Sequence, residues 1–243
     1  MPDKIIIRCI DFETTGENTE EEKHAVCEVG WCDVTYHTRE HIDVGEPMAI
    51  VTNPLRPIPP VARAVHHITD AELVDAPPAT AVFVKHLTVG PPNYFCAHNA
   101  DFERSFFGGG DVPWVCTYKV ALRFWPDEQS HGLQVLRYAL DLPAAPEKAG
   151  PAHRAGPDAY LGALLMERIL REGKASLDDM VRWSKGPALL PRIKFGKHKG
   201  KRWEDAPTDY LEWIVNKSDL DRDIKANAKH HLKKRAAEHQ GAA

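Results

Sequence analysis

Apolar residues in this chain come in short blocks, and their spacing alternates between strand and helix periods. Ile5-Ile6-Ile7-Arg8-Cys9-Ile10 is a β-branched run that reads as a buried central strand. Residues 25–36 and 47–52 read as two further strands. This strand–loop–strand–strand order predicts a sheet that begins as an antiparallel meander. A proline-laden connection, residues 53–60, follows. Thr69-Asp70-Ala71-Glu72 resembles a helix start with a capping box. Residues 78–89 predict a helix and 93–97 another strand. Asn99 then stands as the N-cap of a helix whose Phe102 and Phe106 lie one turn apart on the buried face. A short strand at 114–117 leads into a helix over 117–124, stopped by Pro126. Further helices are predicted over 131–141 and 159–172, with Pro157 at the first helical position of the second. Residues 142–151 read as the loop between them. Residues 208–216 and 223–238 predict two helices near the C-terminus.

These elements divide the chain into an α/β body over residues 1–173, a linker with some helix over 174–187, and a small α+β module over 188–243. Charge sharpens that division. The module holds 13 Lys and Arg against 8 Asp and Glu, whereas the whole chain carries a net charge of −4. A basic tail on an acidic body fits either a solvated charged face or a surface that meets a polyanion. The five cysteines are scattered without a C-x-x-C pair, so neither a disulfide framework nor a zinc knuckle is suggested. No apolar run reaches membrane-spanning length, and the chain does not open on a basic-then-apolar segment. The expected location is therefore cytoplasmic, with no membrane partner.

Candidate chemistry gathers where strands end and helices begin. Asp11 and Glu13 close the first strand and, being two residues apart, point to the same face. They are either two solvated acids or the two halves of a site for a hard divalent cation. Asp101 and Glu103 sit in a first helical turn, where acids also suit the helix dipole. They are about 200° apart around a helix, so only one of them faces a shared site. His153 lies in a loop five residues ahead of Asp158, placed either for the surface or to lean over the same site. Ends of α/β strands are where such sheets build their sites.

Four linked segments resemble the DnaQ-like, or DEDDh, 3′–5′ exonucleases. They are Asp11-Phe12-Glu13-Thr14-Thr15-Gly16, Val65-His66-His67-Ile68, His98-Asn99-Ala100-Asp101-Phe102-Glu103, and His153 with Ala155 and Asp158. One departure stands out: the family's third acid is an Asp, and the aligned position here is Glu103. The resemblance implies a ribonuclease H-like mixed sheet flanked by helices. It implies two Mg²⁺ or Mn²⁺ ions held by Asp11, Glu13, Glu103 and Asp158, with His153 as general base. Phe12 and Thr14 are then expected to meet the terminal nucleotide, and His66 and Phe102 to be candidates for sugar or base contacts. The expected partner is DNA with a 3′ end, preferably single-stranded, and the setting DNA repair. The charge asymmetry adds Lys197, Lys199 and Lys201, with Lys194 and Arg202, as a grip on the phosphate backbone, while Trp203 and Trp213 read as core. An exoribonuclease, a polymerase proofreading subunit and a silent nucleic-acid-binding scaffold remain the alternatives.

Overall fold

A computed structural model describes residues 4–241. Six strands form one mixed sheet: β1 (Ile5–Thr14), β2 (Val26–Tyr36), β3 (Ile42–Val44), β4 (Met48–Val51), β5 (Tyr94–Ala97) and β6 (Trp114–Cys116). The order is β3-β2-β1-β5-β6, with β4 also on β2. β1, β2, β3 and β4 pair antiparallel, as the meander predicted, and β5 and β6 join parallel to β1. Strand β3 falls within a stretch that carried no strand signal.

Ten α-helices complete the described chain: α1 (Pro60–His66), α2 (Ala79–Val82), α3 (Ala100–Phe106), α4 (Thr117–Phe124), α5 (Leu133–Ala139), α6 (Pro146–Ala149), α7 (Ala155–Glu172), α8 (Leu177–Lys185), α9 (Thr208–Lys217) and α10 (Arg222–Gly241). The capping box at Thr69 and Glu72 forms as expected, on a single 3₁₀ turn. The helix expected over 78–89 changes winding at Phe83 and runs to Thr88 with wider turns. Helix α7 starts at Ala155, so Pro157 lies inside the first turn rather than at its opening. Helix α6 occupies part of the expected 142–151 loop.

The alternation along β1 sorts the core into two layers. Ile7 and Cys9 face α7, where they join Ala159, Leu161, Leu165 and Met166. Ile10 and Phe12 face the other way, into a cluster with Phe83, Leu87, Phe95 and Trp114. Helix α7 is apolar around most of its circumference because the sheet covers one side and neighbouring helices the other. Arg8 forks onto both Asp33 oxygens, at 2.7 and 2.8 Å, and donates to the His86 carbonyl, tying the wide-turned segment to the sheet. All five cysteines are buried and unpaired.

The 174–187 stretch carries α8, opened by a capping box at Ser176 and Asp179. Met180 and Val181 enter the core beside α7. Ser184 Oγ accepts the Cys116 N–H at 2.7 Å, which satisfies a donor at the end of β6. Beyond it, Ile193, Trp203, Tyr210, Leu211, Ile214 and Ala228 form a separate small core. Asn227 ties its start to α10, donating to the Ala188 carbonyl and accepting from the Leu190 N–H. Arg192 and Arg202, paired backbone to backbone, both reach Asp127 of the body.

Candidate active site

Strand alternation places Asp11 and Glu13 on the α7 side of the sheet, at the end of β1, where α7 begins. Asp158, in the first turn of α7, comes to meet them. One ligand oxygen from each of Asp11, Glu13 and Asp158 lies within 4.8 Å of the others. Two backbone close approaches make this possible. A Cβ on Gly30 would fall 2.1 Å from the Ala155 carbonyl, and one on Gly156 would fall 3.0 Å from the Ala49 Cβ. The glycines let the start of α7 rest directly on β2 and β4.

Glu103 is the acid of α3 that turns inward: it is 4% exposed. Asp101 turns away, with its carboxylate 57% exposed and 2.6 Å from the buried Lys119 ammonium, which also donates to the Ser184 carbonyl at 3.0 Å. Glu103 is the largest charged neighbour of Asp11, though it stands outside the tight triplet. Asn99 does begin α3, but with φ 123° and no capping bond from its side chain. The buried face of α3 is Ala100 and Glu103, while Phe102 and Phe106 are half-buried and pack edge to face on one another.

The electrostatics are those of a site short of positive charge. Burial, and then Glu103, Glu13 and Asp158, hold the Asp11 carboxyl well above the usual range. Burial pushes Glu13 up to about 8, reinforced by Asp158 and Glu28 and opposed by Arg154. Burial also pushes Glu103 to about 8. Asp158 is raised by burial, and two bonds pull it back: the His153 N–H at 2.7 Å and the Gln134 amide at 3.0 Å. Glu103 Oε2 is buried without a hydrogen-bond partner. Oxygen donors only, several carboxylates and an orphaned buried oxygen form a donor set that suits a hard divalent cation.

A second charged pair buttresses this cluster. Glu28 sits directly across from Glu13 on β2. Its two oxygens receive the Arg154 guanidinium at 3.0 and 2.5 Å, and one also accepts the Ala155 N–H at 2.9 Å. Arg154 thereby fixes the residue next to His153, which is exposed with φ 62°. Sequence reasoning passed over Arg154, although it lies inside the His153 segment, and left Glu28 without a role.

The remaining expected contact residues are placed as follows. Phe12 lies on the face opposite the acids, 4% exposed and 5.3 Å from Phe83, so its ring is packed away from the terminal-nucleotide contact expected of it. Thr14 is buried and its hydroxyl donates to the Gly16 carbonyl at 2.8 Å. His66 is buried too: its Nδ1 accepts the Ile68 N–H at 3.0 Å, and desolvation holds its pKa low. Its Nε2 lies 3.8 Å from the Cys27 Sγ, inside the fold. His98, at the end of β5, bonds the His131 carbonyl at 2.8 Å and the Thr117 hydroxyl at 3.0 Å, and burial lowers it to about 4. Lys194, Lys197, Lys199 and Lys201 are exposed on the basic hairpin. Trp203 is core as expected, but Trp213 is not, being 45% exposed.

The chain is similar to several known nucleases. The RNase_T exonuclease family model matches residues 9–166. Exodeoxyribonuclease 10 of Escherichia coli (strain K12) is 30% identical over 234 residues, covering 93% of this chain and 99% of that protein. The solved structure of exonuclease X in complex with 5′ overhanging duplex DNA is 28% identical with a TM-score of 0.63, over 73% of this chain and 99% of that one. The nuclease domain of 3′hExo, a DEDDh family member bound to rAMP, shares the fold at 16% identity and a TM-score of 0.54, over 70% of this chain and 93% of that one. Among the described residues no helix is long and apolar enough to cross a membrane.

Proposed function

The chain belongs to the exonuclease family, in its DEDDh or DnaQ-like branch, and from that premise we propose that it removes nucleotides from the 3′ ends of DNA, preferring single strands, in DNA repair. The observation that carries the reading is the acid cluster. Asp11, Glu13 and Asp158 converge within 4.8 Å, Glu103 adjoins them, and burial raises every one of the four carboxyls, with neighbouring acids adding to it at Asp11, Glu13 and Glu103. These four acids would hold Mg²⁺ or Mn²⁺. When bound, such ions stabilise charge on phosphoryl oxygens and make water a better nucleophile.

The chain's own groups do the rest. His153 accepts the proton of the attacking water on its imidazole, which is exposed and whose backbone N–H is bound to Asp158. The P–O3′ bond breaks, so the product is a nucleoside 5′-monophosphate. Arg154 and Glu28 hold the His153 loop against β2, while Gln134 orients Asp158. Lys197, Lys199 and Lys201 draw the phosphate backbone.

The test is release of nucleotides from a 3′-labelled DNA strand in Mg²⁺, with a matched RNA strand alongside. Asp11→Ala should lower the rate at least about a hundredfold, since several kcal/mol of transition-state stabilisation depend on the site it builds. Near-full activity in that variant would defeat the assignment, and faster release from RNA would move the substrate to RNA.

A further inference from the structure

The C-terminal module carries an aromatic hollow that the catalytic cluster does not use. It is lined by Phe195, Lys197, Asp209, Tyr210, Trp213 and Leu220 and encloses about 520 Å³. Trp213 is exposed on one side and stacks nearly parallel on Tyr210 on the other, with centroids 5.7 Å apart and planes 19° from one another. The Lys197 ammonium lies 5.5 Å from the Tyr210 ring centre. A solvent-facing indole backed by a second ring is costly to leave bare and well shaped for another flat ring.

A second hollow adjoins it. Tyr118, Lys194, Phe195 and the 221–224 turn line about 580 Å³, and Phe195 is the wall common to both. Tyr118 in turn meets His98 edge to face at 5.8 Å. His98 follows β5 directly, two residues ahead of α3, the helix that carries Glu103. An aromatic series, Tyr118, Phe195 and Trp213, thus leads from the catalytic end of the sheet onto the module. Exposed Lys194, Lys197, Lys199 and Lys201 belong to the same hairpin. Of the acids nearby, Asp209 Oδ1 accepts the Tyr210 N–H and Asp221 Oδ1 accepts the Ile224 N–H, while Asp223 sits in the first turn of α10. Flat rings spaced along a basic edge match a single strand, whose bases stack without regard to sequence while its phosphates meet lysines.

We propose that this groove is a second nucleic-acid site, which takes unpaired bases of the same DNA strand upstream of the 3′ end, with Trp213 as the outermost stacking platform. The proposal rests on the exonuclease reading for its substrate but not for its binding. It makes the module a holding site that keeps a long strand attached between cleavage events.

The full chain is titrated with a fluorescent oligo-dT of about 20 nucleotides in EDTA, so that nothing is cut, following anisotropy and intrinsic tryptophan emission. Trp213→Ala should weaken binding about tenfold, the effect of one lost stacking platform. Trp213→Phe should keep most of the affinity and lose most of the emission quenching, because the other five tryptophans are less exposed. Hydrolysis of a tetranucleotide in Mg²⁺ should be the same in all three proteins. Asp11→Ala should bind the long strand as the parent does, so failure of the catalytic reading would leave this result standing. Unchanged affinity in Trp213→Ala would overturn the proposal. So would an equal loss of tetranucleotide hydrolysis, which would make Trp213 a structural residue.

Discussion

Removing the Arg154 guanidinium tests how the His153 loop is held. Glu28 has a side chain 3% exposed, and Arg154 one that is 37% exposed. Breaking a fully buried pair by deleting one partner costs about 3–5 kcal/mol, because the other charge stays buried. Here the deleted side is more than a third exposed, and Glu28 keeps the Ala155 N–H. Water entering the vacated space recovers part of the loss. We therefore expect Arg154→Ala to destabilise the protein by about 2–3 kcal/mol, below the fully buried range. For a chain of this size that is a fall in Tm of about 5–10 °C. The same bond pair supports the His153 segment, so kcat/KM should fall about 10–100-fold, as when an outer partner of a metal-ligating group is lost. Urea denaturation and steady-state hydrolysis read the two effects. Arg154→Gln with Glu28→Gln closes a double-mutant cycle, whose coupling should exceed about 1 kcal/mol. A stability loss below about 0.5 kcal/mol with unchanged kcat/KM would refute the reasoning, because such values are typical of a surface pair.

Gly30→Ala should cost about 3 kcal/mol or more and most of the activity, since the new methyl meets helix backbone at 2.1 Å rather than a movable side chain; denaturant titration showing a loss below about 1 kcal/mol would contradict this. The metal-free protein should lose stability as pH rises from about 4.5 through about 8: Glu13 and Glu103 hold their protons more tightly folded than unfolded, so the stabilisation is complete below the unfolded value and gone above the folded one. Mg²⁺ should then raise Tm more near about pH 8.5 than near about pH 6, because it replaces those protons, and an equal rise at both would count against the cluster as its site. Glu103→Gln should stabilise the metal-free protein near about pH 8 by removing one of the repelling carboxylates while weakening Mg²⁺ binding, measured by calorimetry; a loss of stability there would show that Glu103 serves packing instead.

Much of this was legible along the chain. The β-branched run at 5–10, the two-residue spacing of Asp11 and Glu13, and the apolar rows of α7 are local patterns, and their periods state which side each residue takes. Helix geometry allowed only one of Asp101 and Glu103 to face the site, the aligned family position pointed to Glu103, and the Lys119 ion pair supplies the reason Asp101 turns away. Other features depend on partners far off in sequence. Glu28 and Arg154 are 126 positions apart and meet only because β2 pairs antiparallel with β1 while α7 returns onto its face. The resemblance implied that Phe12 meets the terminal nucleotide, yet alternation sends it into the layer opposite Asp11 and Glu13, where Phe83 packs against it. Trp213 shows the reverse case: it read as core, but Tyr210, Leu211 and Ile214 already fill the small module's interior and leave the indole outside. Local period thus determined most of the elements and the face that Asp11 and Glu13 share. The raised carboxyls, the clamp on the His153 loop and the open aromatic groove were decided by tertiary structure, because burial and distant charge are properties of packing and not of neighbours along the chain.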